Sequence, residues 1–450
     1  MGRIFGTDGA RGVANTELSC ELAMQIGRAA AMVLLENAKG ERPRVLIGKD
    51  TRASSDMLES AISAGLCSVG ADVLLLGTVP TPAVAHLVRE YEYDAGVMIS
   101  ASHNPCEYNG IKIFQSNGYK LPDALEAQIE EIILDDVDAP PTPIGGEVGR
   151  VTRADNAVAD YIEHLLSATN MSFKGYKIAL DCANGSSSVS AEEVFARLGA
   201  EVVVINSAPD GVNINKDCGS THLEKLQRCV VDNNCDLGFA FDGDADRMLA
   251  IDHTGAVVDG DKCIAVCAKH MKNLGKLKKD TAVVTVMSNM GFFKFCEENG
   301  IKCEKTKVGD RYVLENMHAN GYSIGGEQSG HIIFLQYATT GDGQLSAIQL
   351  MAVVKDTEKT LKELASEMFV YPQVLINVTV SNFGKAQFPK DKEVQNAIKK
   401  VEEKLGDEGR ILVRLSGTEP LVRVMLEGKD YEQIKELGES VAQVVRERLV

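Results

Sequence analysis

The chain has 450 residues, 44% of them apolar and 25% charged, which is enough for several cores of about 100 to 200 residues each. A formal charge of −17 excludes a general binder of nucleic acid or of an anionic membrane, since neither polyanion is drawn to an acidic surface. The eleven cysteines, odd in number and lacking CxxC spacing, fit reduced core thiols in the cytoplasm; the start carries no signal-peptide or myristoylation pattern and no apolar run reaches about 18 residues, so no transmembrane span is expected.

In chain order, the glycine-rich Gly6-Thr-Asp-Gly-Ala-Arg-Gly12 comes first; it matches neither G-x-G-x-x-G nor the Walker pattern, and nucleotide binding is not indicated. A unit then recurs three times. Arg44-Val-Leu-Ile-Gly-Lys-Asp50, Lys177-Ile-Ala-Leu-Asp-Cys-Ala183 and Ala282-Val-Val-Thr-Val-Met-Ser288 read as buried strands. Each leads to an amphipathic helix closing at Gly70, Gly199 or Gly300, and then to a second strand at Val73, Val202 or Cys303. A further strand in each copy runs into a polar loop: Ser-His-Asn after Ala95–Ser100, Asp-Gly-Asp-Ala-Asp after Leu237–Asp242, and Glu-Gln-Ser-Gly-His after Tyr322–Glu327. Repeated βαβ units predict mainly parallel sheets with ligands gathered at the carboxyl ends of the strands, so the three loops can share one cleft. The stretches near 135–150 and 384–391 are expected to be loops. The last part predicts a small α+β domain, with strands at 374–380, 410–415 and 421–426 and helices at about 392–405 and 430–449.

Asp242, Asp244 and Asp246 alternate with small residues, so a tight turn can aim three carboxylates at one hard cation such as Mg²⁺. A solvated acidic turn is the plain alternative. An EF-hand is excluded, because Arg247 and His253 stand where that motif needs Gly and Glu. Ser102 either presents its hydroxyl to a substrate or belongs to an ordinary turn, and no G-x-S-x-G elbow supports a hydrolase. With the acidic loop and Lys112 in view, phosphorylation of Ser102 fits better, since a phosphoserine carries about −1.5 to −2 charge and adds a metal-binding oxygen. Arg414-Leu-Ser-Gly-Thr-Glu-Pro420, followed by Arg423, reads as a phosphate nest or as a hairpin with surface arginines. Glu327, Ser329 and His331 can hydrogen-bond hydroxyls or move protons.

Across essentially the whole chain, Gly6–Gly12, Ile99-Ser-Ala-Ser-His-Asn-Pro105, Asp242-Gly-Asp-Ala-Asp-Arg247, Gly326-Glu-Gln-Ser-Gly-His331 and Arg414–Pro420 together resemble the α-D-phosphohexomutase family, and the last two favour its glucosamine branch. The resemblance implies a heart-shaped α/β molecule around a central cleft, with three topologically similar, mixed but mainly parallel α/β domains at 1–153, 154–256 and 257–369 and a C-terminal α+β domain at 370–450. It implies interconversion of glucosamine 6-phosphate and glucosamine 1-phosphate, on the bacterial route to UDP-N-acetylglucosamine and the cell wall. The implied partner is a phosphorylated amino sugar, with no nucleic acid and no membrane, and the implied assembly is a homodimer.

Residue by residue, the resemblance makes Ser102 a phosphoserine that holds Mg²⁺ together with Asp242, Asp244 and Asp246. Arg11, Lys112 and Arg247 would surround the transferring phosphoryl group, with Lys112 and His331 as proton-transfer groups. Glu327 and Ser329 would hold sugar hydroxyls, and Asp310 and Arg311 would help select the sugar. Arg414, Ser416, Gly417, Thr418 and Arg423 would grip the phosphate that is not reacting. A sugar 1,6-bisphosphate intermediate must turn between the two transfers, which calls for a mobile fourth domain with a hinge near 368–372. A phosphomannomutase/phosphoglucomutase and a phosphatase acting through phosphoserine are the alternatives.

Overall fold

The computed structural model describes residues 2–6, 8–37, 42–135, 137–416 and 420–450. They fall into two compact units, Met1–Met287 with Gly300–Glu367, and Ser288–Asn299 with Met368–Val450.

The larger unit holds three sheets. The first contains β1 (Phe5–Gly6), β2 (Gly9–Val13), β3 (Arg44–Lys49), β4 (Asp72–Thr78), β5 (Ala95–Ile99), β6 (Tyr108–Gln115) and β7 (Val151–Arg153), in the order β1-β2-β6-β5-β3-β4-β7. The second contains β8 (Lys177–Asp181), β9 (Glu201–Ile205), β10 (Leu237–Phe241), β11 (Met248–Asp252) and β12 (Val257–Val258), in the order β12-β11-β10-β8-β9. The third contains β13 (Thr281–Thr285), β14 (Lys302–Thr306), β15 (Ile324–Gly326) and β16 (Ile332–Phe334), in the order β14-β13-β15-β16.

The predicted triplication is present in the strand pairing. β3, β8 and β13 each lie parallel to the second strand of their copy on one side and to β5, β10 or β15 on the other. Strands β5, β10 and β13 are buried along their whole length, and their apolar runs lack the alternation of a half-exposed sheet. In the first sheet, the helices Cys20–Asn37 and Ala53–Ser68 share a core with Val45, Ile47 and Val97. Val84 of the helix Thr81–Glu90 lies over Gly48 and Gly96, on the face that strand alternation makes the opposite one.

The sheets are mixed, and half of the antiparallel pairs in this unit share one source. Each polar loop ends in a strand that folds back: β6 on β5, β11 on β10 and β16 on β15. With β1 on β2, β2 on β6 and β12 on β11 added, antiparallel pairs match parallel ones in number in the first two sheets, a larger share than the repeat alone suggests. The consequence for the site is direct. Ile99 pairs with Ile111, Phe241 with Met248 and Gly326 with Ile332, so every loop is hydrogen-bonded down at both ends.

The smaller unit is α+β as expected: β17 (Gln373–Thr379), β18 (Gly409–Leu415) and β19 (Leu421–Gly428) form an antiparallel sheet in the order β17-β19-β18. The helices Lys392–Leu405 and Tyr431–Leu449 pack Val394, Val401, Ile434 and Val441 onto it, and Asp391 and Asp430 cap them by accepting the Val394 and Gln433 N–H groups. The expected loop at 384–391 is corrected in part, because Asn382–Gln387 is helical. Ser381 caps it through the Gly384 N–H, and Gly384 sits where a Cβ would strike the Leu449 carbonyl, so a glycine that looks like a breaker is a packing residue. The helix predicted after the third copy's first strand forms as Met290–Glu298 and is held within this smaller unit: Glu427 accepts the Met290 N–H at 2.7 Å, and Asn289 exchanges hydrogen bonds with the Tyr371 backbone. No helix among the described residues is long and apolar enough to cross a membrane. None of the cysteines is in a disulfide.

Candidate active site

The site begins where β5 ends. Ser102 has φ +52°, a left-handed conformation that costs a non-glycine residue of order 1 kcal/mol and persists only where neighbours enforce it. The enforcement is visible. The fully buried Arg52 donates Nη2 to the carbonyls of Ser102 and Asn104 at 3.1 and 2.6 Å, and Asn215 donates Nδ2 to the same two oxygens at 2.8 and 3.0 Å. Asp50 neutralises Arg52, and Ser100 Oγ accepts the Ser102 N–H at 3.0 Å. Ser102 itself is buried, and its hydroxyl donates to Asp242 Oδ2 at 2.5 Å. The acidic loop lies directly on this serine. Gly243 makes that approach possible, since a Cβ there would come within 2.6 Å of the Ser102 carbonyl.

Asp242, Asp244 and Asp246 are all buried, with one carboxylate oxygen of each within 4.8 Å of the others. Lys112, on β6, answers them: Nζ lies 2.8 Å from Asp244, 3.6 Å from Asp246 and 3.1 Å from Asp8. Thr81 donates Oγ1 to Asp244 at 2.6 Å, the Arg247 N–H reaches Asp242 Oδ1 at 3.2 Å, and the Gly343 N–H reaches the Ala245 carbonyl at 2.9 Å. Burial, reinforced by Asp246 and Asp244, drives the Asp242 carboxyl well above the ordinary range. Burial acts on Asp246 too, but Lys112 and His331 outweigh it and hold that carboxyl well below. Asp244 Oδ1 and Asp246 Oδ1 are buried without a hydrogen-bond partner among the described residues. Buried carboxylate oxygens that receive no hydrogen bond, beside a carboxyl that resists ionisation, suit an oxygen-ligated divalent cation, so the triad can hold a metal.

The third loop contributes His331, which is buried with Nδ1 3.6 Å from Asp246 and Nε2 3.6 Å from Asp310. Nε2 accepts the Gly341 N–H at 3.0 Å, which assigns the ring proton to Nδ1, facing Asp246. Glu327 accepts the Gly309 N–H at 3.2 Å, and Ser329 is exposed. Asp310 opens the helix Asp310–Asn320 against Lys120 and His331. Arg311 points elsewhere, to Asp123, Glu126 and the Leu121 carbonyl. Arg11 is paired with Asp8, and Arg247 lies 3.0 Å from His103 Nδ1. Burial, with Arg247 and Arg11 nearby, pushes His103 down to about 4.

Ser102, Lys112, Asp242, Asp244, Asp246, Arg247, His331 and Asp310 are thus joined by direct contacts, with Arg11 linked through Asp8. In the smaller unit, Arg414 on β18 stands directly opposite Arg423 on β19. Burial and Arg423 both lower the Arg414 pKa, the signature of two like charges held together. Ser416 is buried and its N–H closes the turn onto the Leu421 carbonyl at 2.8 Å. Gly417 and Thr418 lie outside the described residues. Sequence reasoning did not single out Asp8, Arg52, Thr81, Lys120 or Asn215. Two signals were available: Asp8 lies inside the first glycine-rich motif, and Asp50-Thr-Arg52 ends the opening strand of the first copy, at a strand end like those of the site loops.

Models of all four domains of the phosphoglucomutase/phosphomannomutase family match the chain: alpha/beta/alpha domain I at residues 2–138, domain II at 159–255, domain III at 259–371 and the C-terminal domain at 375–444. A phosphoglucosamine mutase from Caldicellulosiruptor saccharolyticus is 57% identical over 451 residues, covering 100% of each chain. Among solved structures, a phosphoglucomutase/phosphomannomutase family protein from Burkholderia thailandensis superposes with a TM-score of 0.83 at 21% identity, over 99% of this chain and 97% of that one. The N-acetylphosphoglucosamine mutase of Aspergillus fumigatus, solved with GlcNAc-6P and magnesium, gives 0.72 at 18% identity, over 99% and 96%. Those two distant likenesses speak to the fold. The domain matches in order and the full-length relative establish membership: the chain belongs to the phosphoglucomutase/phosphomannomutase family of α-D-phosphohexomutases.

Proposed function

We propose that this protein is a phosphoglucosamine mutase, interconverting glucosamine 6-phosphate and glucosamine 1-phosphate through a phosphoserine at Ser102 and a glucosamine 1,6-bisphosphate intermediate. The observation that carries the reading is the Ser102 hydroxyl 2.5 Å from Asp242, inside a buried carboxylate triad answered by Lys112. The full-length mutase relative supports the choice of sugar. In this reading the domains divide at 1–153, 154–256, 257–369 and 370–450, and the protein works in the cytoplasm.

In the forward direction the bond from phosphorus to Ser102 Oγ breaks as a bond to sugar O1 forms, and the O1 proton ends on Oγ. Lys112 and His331 are the groups that relay it. Against the burial penalty, Asp244, Asp8 and Asp246 raise the Lys112 pKa, so it rests as the ammonium and begins the step as a donor rather than a base. Arg247 and Arg11 add positive charge around the transferring oxygens. Mg²⁺, held by Asp242, Asp244, Asp246 and a phosphoserine oxygen, supplies further charge to those oxygens when bound. Glu327 and Ser329 orient sugar hydroxyls, with Asp310 behind them against His331, whereas Arg311 is engaged with Asp123 and Glu126. Arg414, Ser416, Gly417, Thr418 and Arg423 grip the phosphate at rest, whose negative charge relieves the repulsion between the two guanidiniums.

The test is turnover of glucosamine 6-phosphate by protein whose intact mass reports phosphorylation, run beside glucose and mannose phosphates. Faster turnover of a non-amino sugar points to phosphomannomutase/phosphoglucomutase, and phosphate release without isomerised sugar points to a phosphatase.

A further inference from the structure

Six ionisable side chains close a ring through the site. Lys120 is ion-paired with both Asp8 and Asp310; Asp310 lies 3.6 Å from His331, His331 lies 3.6 Å from Asp246, Asp246 lies 3.6 Å from Lys112, and Lys112 returns to Asp8 at 3.1 Å. Acids and bases alternate around it. The members come from the turn between β1 and β2, from β6 and the turn after it, from the acidic loop, from the start of the helix Asp310–Asn320 and from the turn before β16. All three repeat copies of the larger unit are therefore represented.

We propose that Lys120 is a positioning residue for phosphoryl transfer, acting through Asp8 on Lys112 and Arg11, and through Asp310 on His331. Its Nζ is the one fully charged group paired with Asp310 among the described residues, since His331 Nε2 is already taken by the Gly341 N–H. Asp8 is shared among Arg11, Lys112 and Lys120. Against burial, those three cations hold Asp8 well below the ordinary carboxylate range, and Asp310 is lowered chiefly by Lys120 once burial is overcome. Without Lys120, Asp8 concentrates its charge on Arg11 and Lys112, the cations that face the phosphoryl group. Asp310, left without a cation, turns onto His331. Both shifts move groups whose placement matters only as charge develops in the transition state, so kcat suffers before substrate binding does.

This role rests on the mutase reaction proposed above, so the full-length phosphorylated wild type is assayed first with glucosamine 6-phosphate; absence of turnover there sinks the reaction itself. With an active wild type, Lys120→Met is expected to lower kcat about 100-fold while KM stays within about threefold. Lys120→Arg, which keeps the charge, is expected to recover at least about a tenth of wild-type kcat. Adding Lys120→Met to Asp310→Asn should cost less than Lys120→Met costs alone, because the two share one contact. Wild-type kcat in Lys120→Met, no gain from Lys120→Arg, or full additivity in the double variant overturns the assignment. If thermal unfolding shows that Lys120→Met does not fold, Lys120→Gln is read against the same kcat and KM outcomes.

Discussion

The acidic loop of the larger unit and the arginine pair of the smaller one handle charge in opposite ways. Around Asp242, Asp244 and Asp246, negative charge is buried and answered inside the chain by Lys112, Arg247 and His331, so donors and acceptors are set before any ligand arrives. On β18 and β19, two guanidiniums of one sign stand opposite each other, and burial together with Arg423 lowers the Arg414 pKa. The first arrangement suits the proposed chemistry on a phosphoryl group. In the proposed mechanism the second is the grip for a phosphate that must be held and later exchanged.

The largest test of that contrast is Ser102→Ala. It should lower mutase turnover by roughly 10⁴-fold or more and leave an intact mass without the added phosphate, while metal binding stays. Near-normal flux would mean that the loop is a structural turn. Next, Asp244→Asn should cut turnover about 100-fold and weaken the rise in melting temperature produced by Mg²⁺; an unchanged thermal response to Mg²⁺ would place the metal elsewhere. Arg414→Ala should be milder, raising KM about 30-fold with release of free bisphosphate, as expected when a charged hydrogen bond worth roughly 2 kcal/mol is lost. A loss confined to kcat would contradict a grip.

The smallest effect concerns a place where buried charge is avoided altogether. His86 and His164 stack with ring centroids 3.8 Å apart on the helices Thr81–Glu90 and Ala157–Ser167, and burial pushes both down to about 4. Their folded pKa lies below the unfolded value of about 6.5, so the stability they contribute is complete above that pH and drains away as pH falls towards 4. Melting curves between pH 7.5 and 4.5 should be steeper for wild type than for His86→Phe. Parallel profiles would show that the stack does not couple protonation to folding.

Much of the architecture is legible in the residues. Buried runs such as Leu-Gly-Phe-Ala-Phe, glycines closing helices and the repeat of the whole unit need only local chemistry, and they locate the three loops at strand ends. The returning strands β6, β11 and β16 were harder, because each is a short run after a polar turn whose partner is decided by sheet pairing. Asn382–Gln387 was missed because a glycine and polar residues argue against helix until the Leu449 carbonyl beside Gly384 is known.

The site divides in the same way. Chemistry written in consecutive residues, the carboxylates of Asp242-Gly-Asp-Ala-Asp246 or the hydroxyls of Ser100-Ala-Ser102, was determined by the sequence itself, since ligand type and spacing are local properties. The tertiary structure alone decided that Ser102 is buried against Asp242, that Arg52 and Asn215 hold its carbonyl, and that Lys120 joins Asp8 to Asp310, because each contact spans between 50 and 190 residues of chain. Coulomb attraction and desolvation act through space, and only the folded sheets bring those groups within reach.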